Sequence, residues 1–131
     1  MLVSSLGTPY EIQTDHKILF IEDVDEKPYR LDRMLTQLLH AGKLDHVRGI
    51  VFGQMVHCDP AENSRDPNKT TAIEAIRLAI GRHISKQKIP VIYNFPAGHG
   101  MPQITFPIGV KVELRADISR PEVVFLESGV R

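Results

Sequence analysis

Hydrophobic residues in the first half of the chain follow the pattern of a strand and then of a helix. Four consecutive apolar residues, from Ile18 to Ile21, lie within 17–23 and predict a strand that is buried on both faces. Pro28 stands at a position where a helix can begin. Leucine and methionine then recur at intervals of three and four residues up to Gly42, a residue that often ends a helix. This spacing predicts an amphipathic helix with an inward face of Leu31, Met34, Leu35, Leu38 and Leu39.

The same order of elements repeats after this helix. Residues 48–53 predict a second buried strand, followed by a long polar connection over 54–69. A second helix is predicted to begin near Thr70 or Thr71, where a threonine can cap it, and to end before Pro90. The residues that this helix turns inward are Ile73, Ile76, Ile80 and Ile84.

Strands dominate the last third of the chain. One is predicted directly after Pro90, at 91–93, and the others at 104–107, 109–114 and 122–126. The order strand, helix, strand, helix, strand and a tail of strands indicates an α/β domain with two main helices. We expect a mixed sheet that is partly barrel-like, because the C-terminal strands curl it.

The composition argues against a nucleic-acid-binding protein and against a membrane protein. A chain of 131 residues is one domain, and its 16 basic and 16 acidic residues cancel, so no basic face is available for nucleic acid or anionic lipid. The apolar runs are too short to span a membrane, and the N-terminus has no signal-peptide pattern. A single cysteine, Cys58, fits a reducing compartment. We therefore expect a cytoplasmic protein.

Two side chains suited to catalysis, Glu22 and His99, follow predicted strands. Glu22 stands at the end of the first strand, and His99 lies between two glycines after the third. Because parallel strands end at the same edge of a sheet, the fold can bring these two residues together. A carboxylate that accepts a hydrogen bond from an imidazole fixes its tautomer and stabilises the imidazolium, as in hydrolytic triads. The alternatives are a solvated acidic turn around Glu22 and a mobile loop histidine.

The other candidate groups have simpler interpretations. Arg30 follows Glu26 by four residues, which predicts an ion pair at the start of the first helix. His57, Cys58 and Asp59 are consecutive, and adjacent side chains cannot easily point at one another, so a loop is favoured over a Cys–His nucleophile or a metal site. Phosphate-binding glycine loops and zinc-ligand spacings are missing from the sequence, and we expect no metal.

Four segments in a fixed order carry a family resemblance: ILFIEDVDEKPYRLDRMLTQLLHAGKL, RGIVFG, IPVIYNFPAGHG and ITFPIGVKVEL. Together with the preceding SSLGTPY, they make nearly the whole chain resemble the C-terminal half of the LD-carboxypeptidase family of serine peptidases. That family includes murein tetrapeptide carboxypeptidases and microcin C self-immunity peptidases.

The resemblance implies a swivelling β/β/α-type domain and a Ser-Glu-His triad. Glu22 matches the glutamate of the family's LED motif, and His99 matches the histidine of its GH motif. Residues 1–16 are then an inter-domain lead-in, and residues 17–131 the C-terminal catalytic half. The implied substrate is a murein peptide with a terminal D-alanine, cut at an L,D bond, and Arg30 could contact a substrate carboxylate. The family uses no cofactor and is commonly dimeric.

In this family the nucleophilic serine belongs to a separate N-terminal domain, which this chain lacks. No serine of the chain lies in a G-x-S-x-G turn; they are Ser4, Ser5, Ser64, Ser85, Ser119 and Ser128. Whether the chain is a truncated or proteolytic fragment, or one product of a split gene, stays open. Leu2, Val3 and Leu6 fit no helix or strand pattern, so we expect them to belong to an exposed apolar face to which the missing domain binds.

Two alternatives remain from the sequence. The first is the same chemistry on a peptidyl-nucleotide such as processed microcin C. The second is an interaction module that keeps the fold but lacks catalysis.

Overall fold

The computed structural model describes residues 2–61, 69–117 and 119–130. It begins with a short 3-10 turn at Val3–Ser5. The elements that follow are β1 (Ile18–Val24), α1 (Pro28–His40), β2 (Gly49–Val56), α2 (Ala72–Gln87), β3 (Val91–Ile92), β4 (Val112–Arg115) and β5 (Glu122–Phe125). The predicted alternation of strands and helices, followed by strands alone, is confirmed.

Helix α1 begins and ends where its sequence signals predict. Pro28 is its first residue, and the helix buries Leu31, Leu35 and Leu38. Gly42 follows it with φ of 70°, in the left-handed region that glycine adopts without strain. The Gly42 and Lys43 N–H groups donate to the carbonyl oxygens of Leu39 and Leu38, each at 3.0 Å. These two bonds satisfy carbonyl groups that the helix end would otherwise leave unpaired.

Helix α2 begins with a reciprocal cap. The Thr71 hydroxyl accepts from the Glu74 N–H at 3.2 Å, and the Glu74 carboxylate accepts from the Thr71 N–H at 2.7 Å. Ile76 and Ile80 are buried as predicted, whereas Ile73 and Ile84 are only half-buried. The rest of the buried face is formed by alanines, Ala72 and Ala75.

We expect Thr71→Ala to lower the free energy of unfolding by about 1 kcal/mol, because it leaves helix N–H groups of α2 unpaired. Urea unfolding followed by circular dichroism measures this change. Thr105→Ala, at an exposed position outside the helices and strands, serves as the control and should change the value by less than about 0.5 kcal/mol. Equal effects of the two substitutions would contradict the role of the cap.

The first three strands form a parallel sheet in the order β1-β2-β3. The first five residues of β2 are buried because β2 is central, whereas β1 is an edge strand. Only Leu19 of β1 is fully buried, so the expectation that Ile18 to Ile21 are buried on both faces is wrong. β2 also continues to Val56, so the connection predicted over 54–69 is shorter than expected. Residues 62–68 of this connection, which include Ser64, lie outside the described residues.

The C-terminal strands do not extend this sheet. β4 and β5 pair only with each other, antiparallel, so within the described residues the sheets do not close and the barrel-like expectation is wrong. The prediction of a strand at 104–107 is also wrong, because this segment forms no β-sheet pairing with another strand of the described chain. Its Phe106 packs instead between Phe20 of β1 and Phe125 of β5, at ring-centroid distances of 5.1 and 5.9 Å. Aromatic packing therefore joins the two sheets.

The first residues of the chain pack against the domain itself. Leu2, Val3 and Leu6 contact the main hydrophobic core, so the expectation that they belong to an exposed face is wrong. The 3-10 turn at this end of the chain lies against α1. The hydrophobic period of a helix or strand could not predict this packing. Within the described ranges, no helix has the length and apolar character needed to cross a membrane.

Candidate functional site

Glu22 lies at an irregularity between β1 and β2. Ile21 is opposite Phe52, but Asp23 is opposite Met55, so two residues of β2, Gly53 and Gln54, face Glu22 alone. Such bulges change the direction of side chains and are frequent next to active sites. Glu22 is therefore inside β1, two residues before the strand ends at Val24, and not at its end as expected.

His99 reaches Glu22 because the chain after β3 continues beside β2. The Phe95 N–H donates to the Phe52 carbonyl at 3.0 Å, and the Gln54 N–H donates to the Ala97 carbonyl at 3.1 Å. These bonds hold the segment from β3 to Ala97 along the central strand. The glycine-flanked loop that carries His99 starts directly after this anchored point.

Glu22 and His99 are in direct contact. The distance between His99 Nδ1 and Glu22 Oε2 is 2.8 Å, which confirms that the fold brings the two residues together. An ionised carboxylate only accepts hydrogen bonds, so in the tautomer that fits this contact a neutral imidazole carries its proton on Nδ1 and keeps the lone pair on Nε2. The His99 side chain is 57% exposed and that of Glu22 is 26% exposed, so the base faces solvent while its carboxylate is largely covered. In the part of the chain that the structure describes, no hydrogen bond to Nε2 is found.

Two glycines make this contact sterically possible. Gly53 of β2 lies between Glu22 and the segment that precedes His99, and a Cβ there would be 2.5 Å from the Ala97 carbonyl oxygen and 2.9 Å from Glu22 Cβ. Gly98 has φ of 126°, and a Cβ at that position would be 2.9 Å from Glu22 Oε2. Bare backbone thus lies on the Glu22 carboxylate at Gly98 and on the base of the Glu22 side chain at Gly53.

Gly53 and the neighbouring Gln54 were not among the predicted site residues. A glycine inside an otherwise apolar strand is a sequence signal for the close approach of another group, and it could have identified residue 53. The irregular pairing opposite Glu22 depends on how two distant strands align, so local sequence gives no indication of it.

Arg30 is not brought together with this pair. Its guanidinium forms the predicted ion pair with Glu26 at 3.4 Å and donates to the Tyr29 hydroxyl at 3.4 Å. The hydrogen bond from Arg30 lowers the pKa of the Tyr29 phenol, and the positive charges of Arg30 and Arg33 act in the same direction. Arg30 is exposed on the surface of α1, where its charge is accessible.

The residues His57, Cys58 and Asp59 diverge, as the loop interpretation predicts. His57 Nδ1 lies 3.1 Å from Asp25 Oδ1, and the Asp59 carboxylate accepts the Ala72 N–H at the start of α2. Cys58 is buried, and burial raises the pKa of its thiol, so the thiol stays protonated at neutral pH and is a poor nucleophile. Among residues 2–61, 69–117 and 119–130, no group of three potential metal-ligating side chains comes together.

Three of the serines make hydrogen bonds within their own turns. Ser5 donates to the Leu2 carbonyl, the Ser119 hydroxyl donates to Asp117, and Ser128 accepts from the Val130 N–H. In the ranges that the structure describes, no hydrogen bond joins one of these three hydroxyl groups to His99.

Known proteins share both the sequence and the fold of this chain. Residues 1–114 match the LD-carboxypeptidase C-terminal domain. The probable murein peptide carboxypeptidase of Bacillus subtilis is 37% identical over 130 residues, which cover 99% of this chain and 38% of that protein. The crystal structure of muramoyltetrapeptide carboxypeptidase from Oxalobacter formigenes superposes with a TM-score of 0.76 at 28% identity, covering 95% of this chain and 40% of that one.

A structure of the microcin C7 self-immunity protein MccF in complex with aspartyl sulfamoyl adenosine shares the fold, with a TM-score of 0.73 at 24% identity. The match covers 96% of this chain and 35% of that chain. The chain thus spans about two fifths or less of the length of these relatives.

Proposed function

The chain belongs to the LD-carboxypeptidase family, in which it corresponds to the C-terminal domain, and we propose that it supplies the glutamate and histidine of a Ser-Glu-His triad. The observation that carries this proposal is the 2.8 Å contact between His99 Nδ1 and Glu22 Oε2. It leaves Nε2 free on the exposed side of the ring, where a hydroxyl group can approach it.

In the proposed mechanism a serine from a second domain attacks the carbonyl carbon of the scissile amide. His99 Nε2 takes the serine proton, and the imidazolium that forms is stabilised by Glu22. His99 then gives this proton to the leaving amine. Water attacks the resulting acyl-enzyme in the same way, with His99 again as the base.

The proposed substrate is a murein tetrapeptide that loses its terminal D-alanine, in a cytoplasmic step of peptidoglycan recycling. Support comes from the names of the relatives in Bacillus subtilis and Oxalobacter formigenes. The exposed Arg30 is proposed to contact a carboxylate of this peptide, because a guanidinium binds carboxylates in a bidentate manner. The second candidate substrate, a microcin C-like peptidyl-nucleotide, is favoured only by the similarity to the self-immunity protein in sequence and fold.

The proposed partner is an N-terminal domain that carries the serine. Residues 1–16 would form the lead-in to it and residues 17–131 the C-terminal half. Any domain that brings a hydroxyl to His99 Nε2 must approach the loop after it, where Met101 is 85% exposed and Ile104 and Ile108 are also exposed. We name these three residues the loop face, and propose that the serine domain covers it.

The isolated chain should release no D-alanine from a murein tetrapeptide, because a base without its nucleophile retains little of the catalytic effect. The measurement is the amount of free D-alanine with and without an added serine-bearing domain from a relative. Activity that appears only on mixing supports the triad. Binding of the two domains without turnover would indicate the interaction module instead. If the chain alone is active and loses this activity when one of its own serines is replaced, the two-domain mechanism is contradicted.

We also propose that the chain associates into a homodimer through exposed apolar residues. In the isolated chain the loop face is not covered by a serine domain and can contact a second copy. Light scattering at rising concentration should then show a mass above that of one chain, and Ile108→Lys on the loop face should lower it, because a charged group opposes burial of that face. Lys111→Ala serves as the control at a nearby exposed polar position. A strict monomer at high concentration would contradict the homodimer.

A further inference from the structure

Gln54 holds the His99 loop at both of its ends. Its backbone N–H donates to the Ala97 carbonyl at 3.1 Å, before the loop, and its side-chain amide donates to the Met101 carbonyl at 3.5 Å, after it. One residue of the central strand therefore spans the five residues that have His99 at their centre. Gln103 adds a hydrogen bond to the Gly98 carbonyl.

Packing supports the same arrangement. A Cβ at Gly100 would be 2.6 Å from Gln54 Oε1 and 2.7 Å from Gln54 Cδ, so the loop backbone lies directly on the side-chain amide. Gly98, on the other side of His99, lies on the Glu22 carboxylate in the same way. His99 is thus supported by two side chains that face one another across the irregularity between β1 and β2.

The oxygen of the Gln54 side chain is buried and has no hydrogen-bond partner in the described part of the chain. The amide cannot turn to relieve this without losing the bond from its nitrogen to the Met101 carbonyl. A buried acceptor without a partner lowers stability, and a methionine of similar length would avoid that cost. A residue that served packing alone would gain from being apolar, so the amide at this position requires another explanation.

We propose that Gln54 is a positioning residue that fixes the His99 loop so that Nδ1 stays on Glu22 and Nε2 stays free. This inference rests on the proposed function for its catalytic meaning, but the order of the loop can be measured without catalysis. Gln54→Met removes both amide atoms and keeps the length of the side chain. Gln54→Glu keeps the shape and the acceptor but removes the donor to Met101, and it provides a second test if the first variant does not fold.

The experiment is nuclear magnetic resonance of the 131-residue chain, with Gln37→Met on the exposed side of α1 as the matched control. In the wild-type chain the His99 ring should show a single tautomer with the proton on Nδ1. In Gln54→Met and Gln54→Glu we expect averaged ring signals. The Ile104 N–H, which donates to the Pro96 carbonyl at 2.8 Å across the loop, should exchange at least about tenfold faster, while amides inside β1 and β2 keep their rates. The melting temperature of Gln54→Met should be unchanged or higher.

Two results would overturn the proposal. The first is sharp His99 signals and unchanged amide exchange in both variants. The second is faster exchange in both the loop and the core together with a lower melting temperature, because such a general loss of stability would mean that Gln54 is a purely structural residue. In the enzyme assembled with its serine domain, Gln54→Met should lower kcat about ten- to a hundredfold with little change in KM. The proposed function and the role of Gln54 can fail separately. If the loop signals of the variant are disordered but the assembled wild-type enzyme has no turnover, the proposed function is rejected and the role of Gln54 in the loop is retained.

Discussion

Replacing Glu22 with glutamine should lower turnover about 10⁴-fold in the enzyme assembled with its serine domain, and it should leave the fold intact. An amide in place of the carboxylate cannot stabilise the imidazolium, and its N–H can hold Nδ1 as an acceptor, which puts the ring proton on Nε2. The base then faces the serine with its proton instead of its lone pair. The glutamine side chain has the same size, so the packing against Gly53 and Gly98 is kept.

The rate of D-alanine release measures this effect, and circular dichroism verifies the fold. Glu113→Gln on β4, which removes a carboxylate that pairs with Arg115 on the surface, is the control and should change turnover by less than about twofold. His99→Gln should lower kcat on the order of 10⁶-fold, and the double variant should be no worse than His99→Gln, because triad members act as a unit. A Glu22→Gln enzyme that keeps turnover within threefold of wild type would reject the assignment of the pair.

Gly53→Ala is expected to lower stability and to disturb the site at the same time. The added methyl group would lie 2.5 Å from the Ala97 carbonyl oxygen and 2.9 Å from Glu22 Cβ, so the segment before His99 must move away from β2. Overpacking of this kind lowers the free energy of unfolding by about 1–3 kcal/mol. We also expect the contact between Glu22 and His99 to open, so that the variant enzyme loses turnover as in Glu22→Gln.

The chain provides a matched control in Gly81→Ala. Gly81 lies inside α2, and a Cβ there would meet nothing within 4 Å. Alanine is the better helix former, so this variant should be more stable than wild type by about 0.5–1 kcal/mol. Denaturant unfolding should show a lower free energy of unfolding for Gly53→Ala and a higher one for Gly81→Ala than for wild type. A Gly53→Ala chain as stable as wild type would show that a side chain fits between Glu22 and the segment that precedes His99.

Local signals allowed the helices to be predicted well. Pro28 and Gly42 set the limits of α1, and Thr71 sets the start of α2, because each residue acts on the backbone within one helical turn. The meeting of Glu22 and His99 was also predictable, because Glu22 lies near the carboxyl end of β1, His99 follows β3, and these parallel strands end at the same edge of the sheet.

The remaining features depend on contacts between distant segments. The alternation in 104–107 is compatible with a strand, but a strand needs a partner, and Phe106 finds aromatic rings instead. The hydrophobic period predicted no place for Leu2 and Val3 within the domain, because a 3-10 turn that packs on α1 has no such period of its own. The support of His99 by Gln54 rests on an irregular register that only the assembled sheet defines.

Glu22 and His99 are both supplied by this chain, and so are the glycines and the Gln54 amide that hold the His99 loop. The contact between the imidazole and its carboxylate is therefore made without a residue of any second domain. In the enzyme proposed above, the serine domain would have one positional task toward this pair, which is to place its hydroxyl oxygen at His99 Nε2.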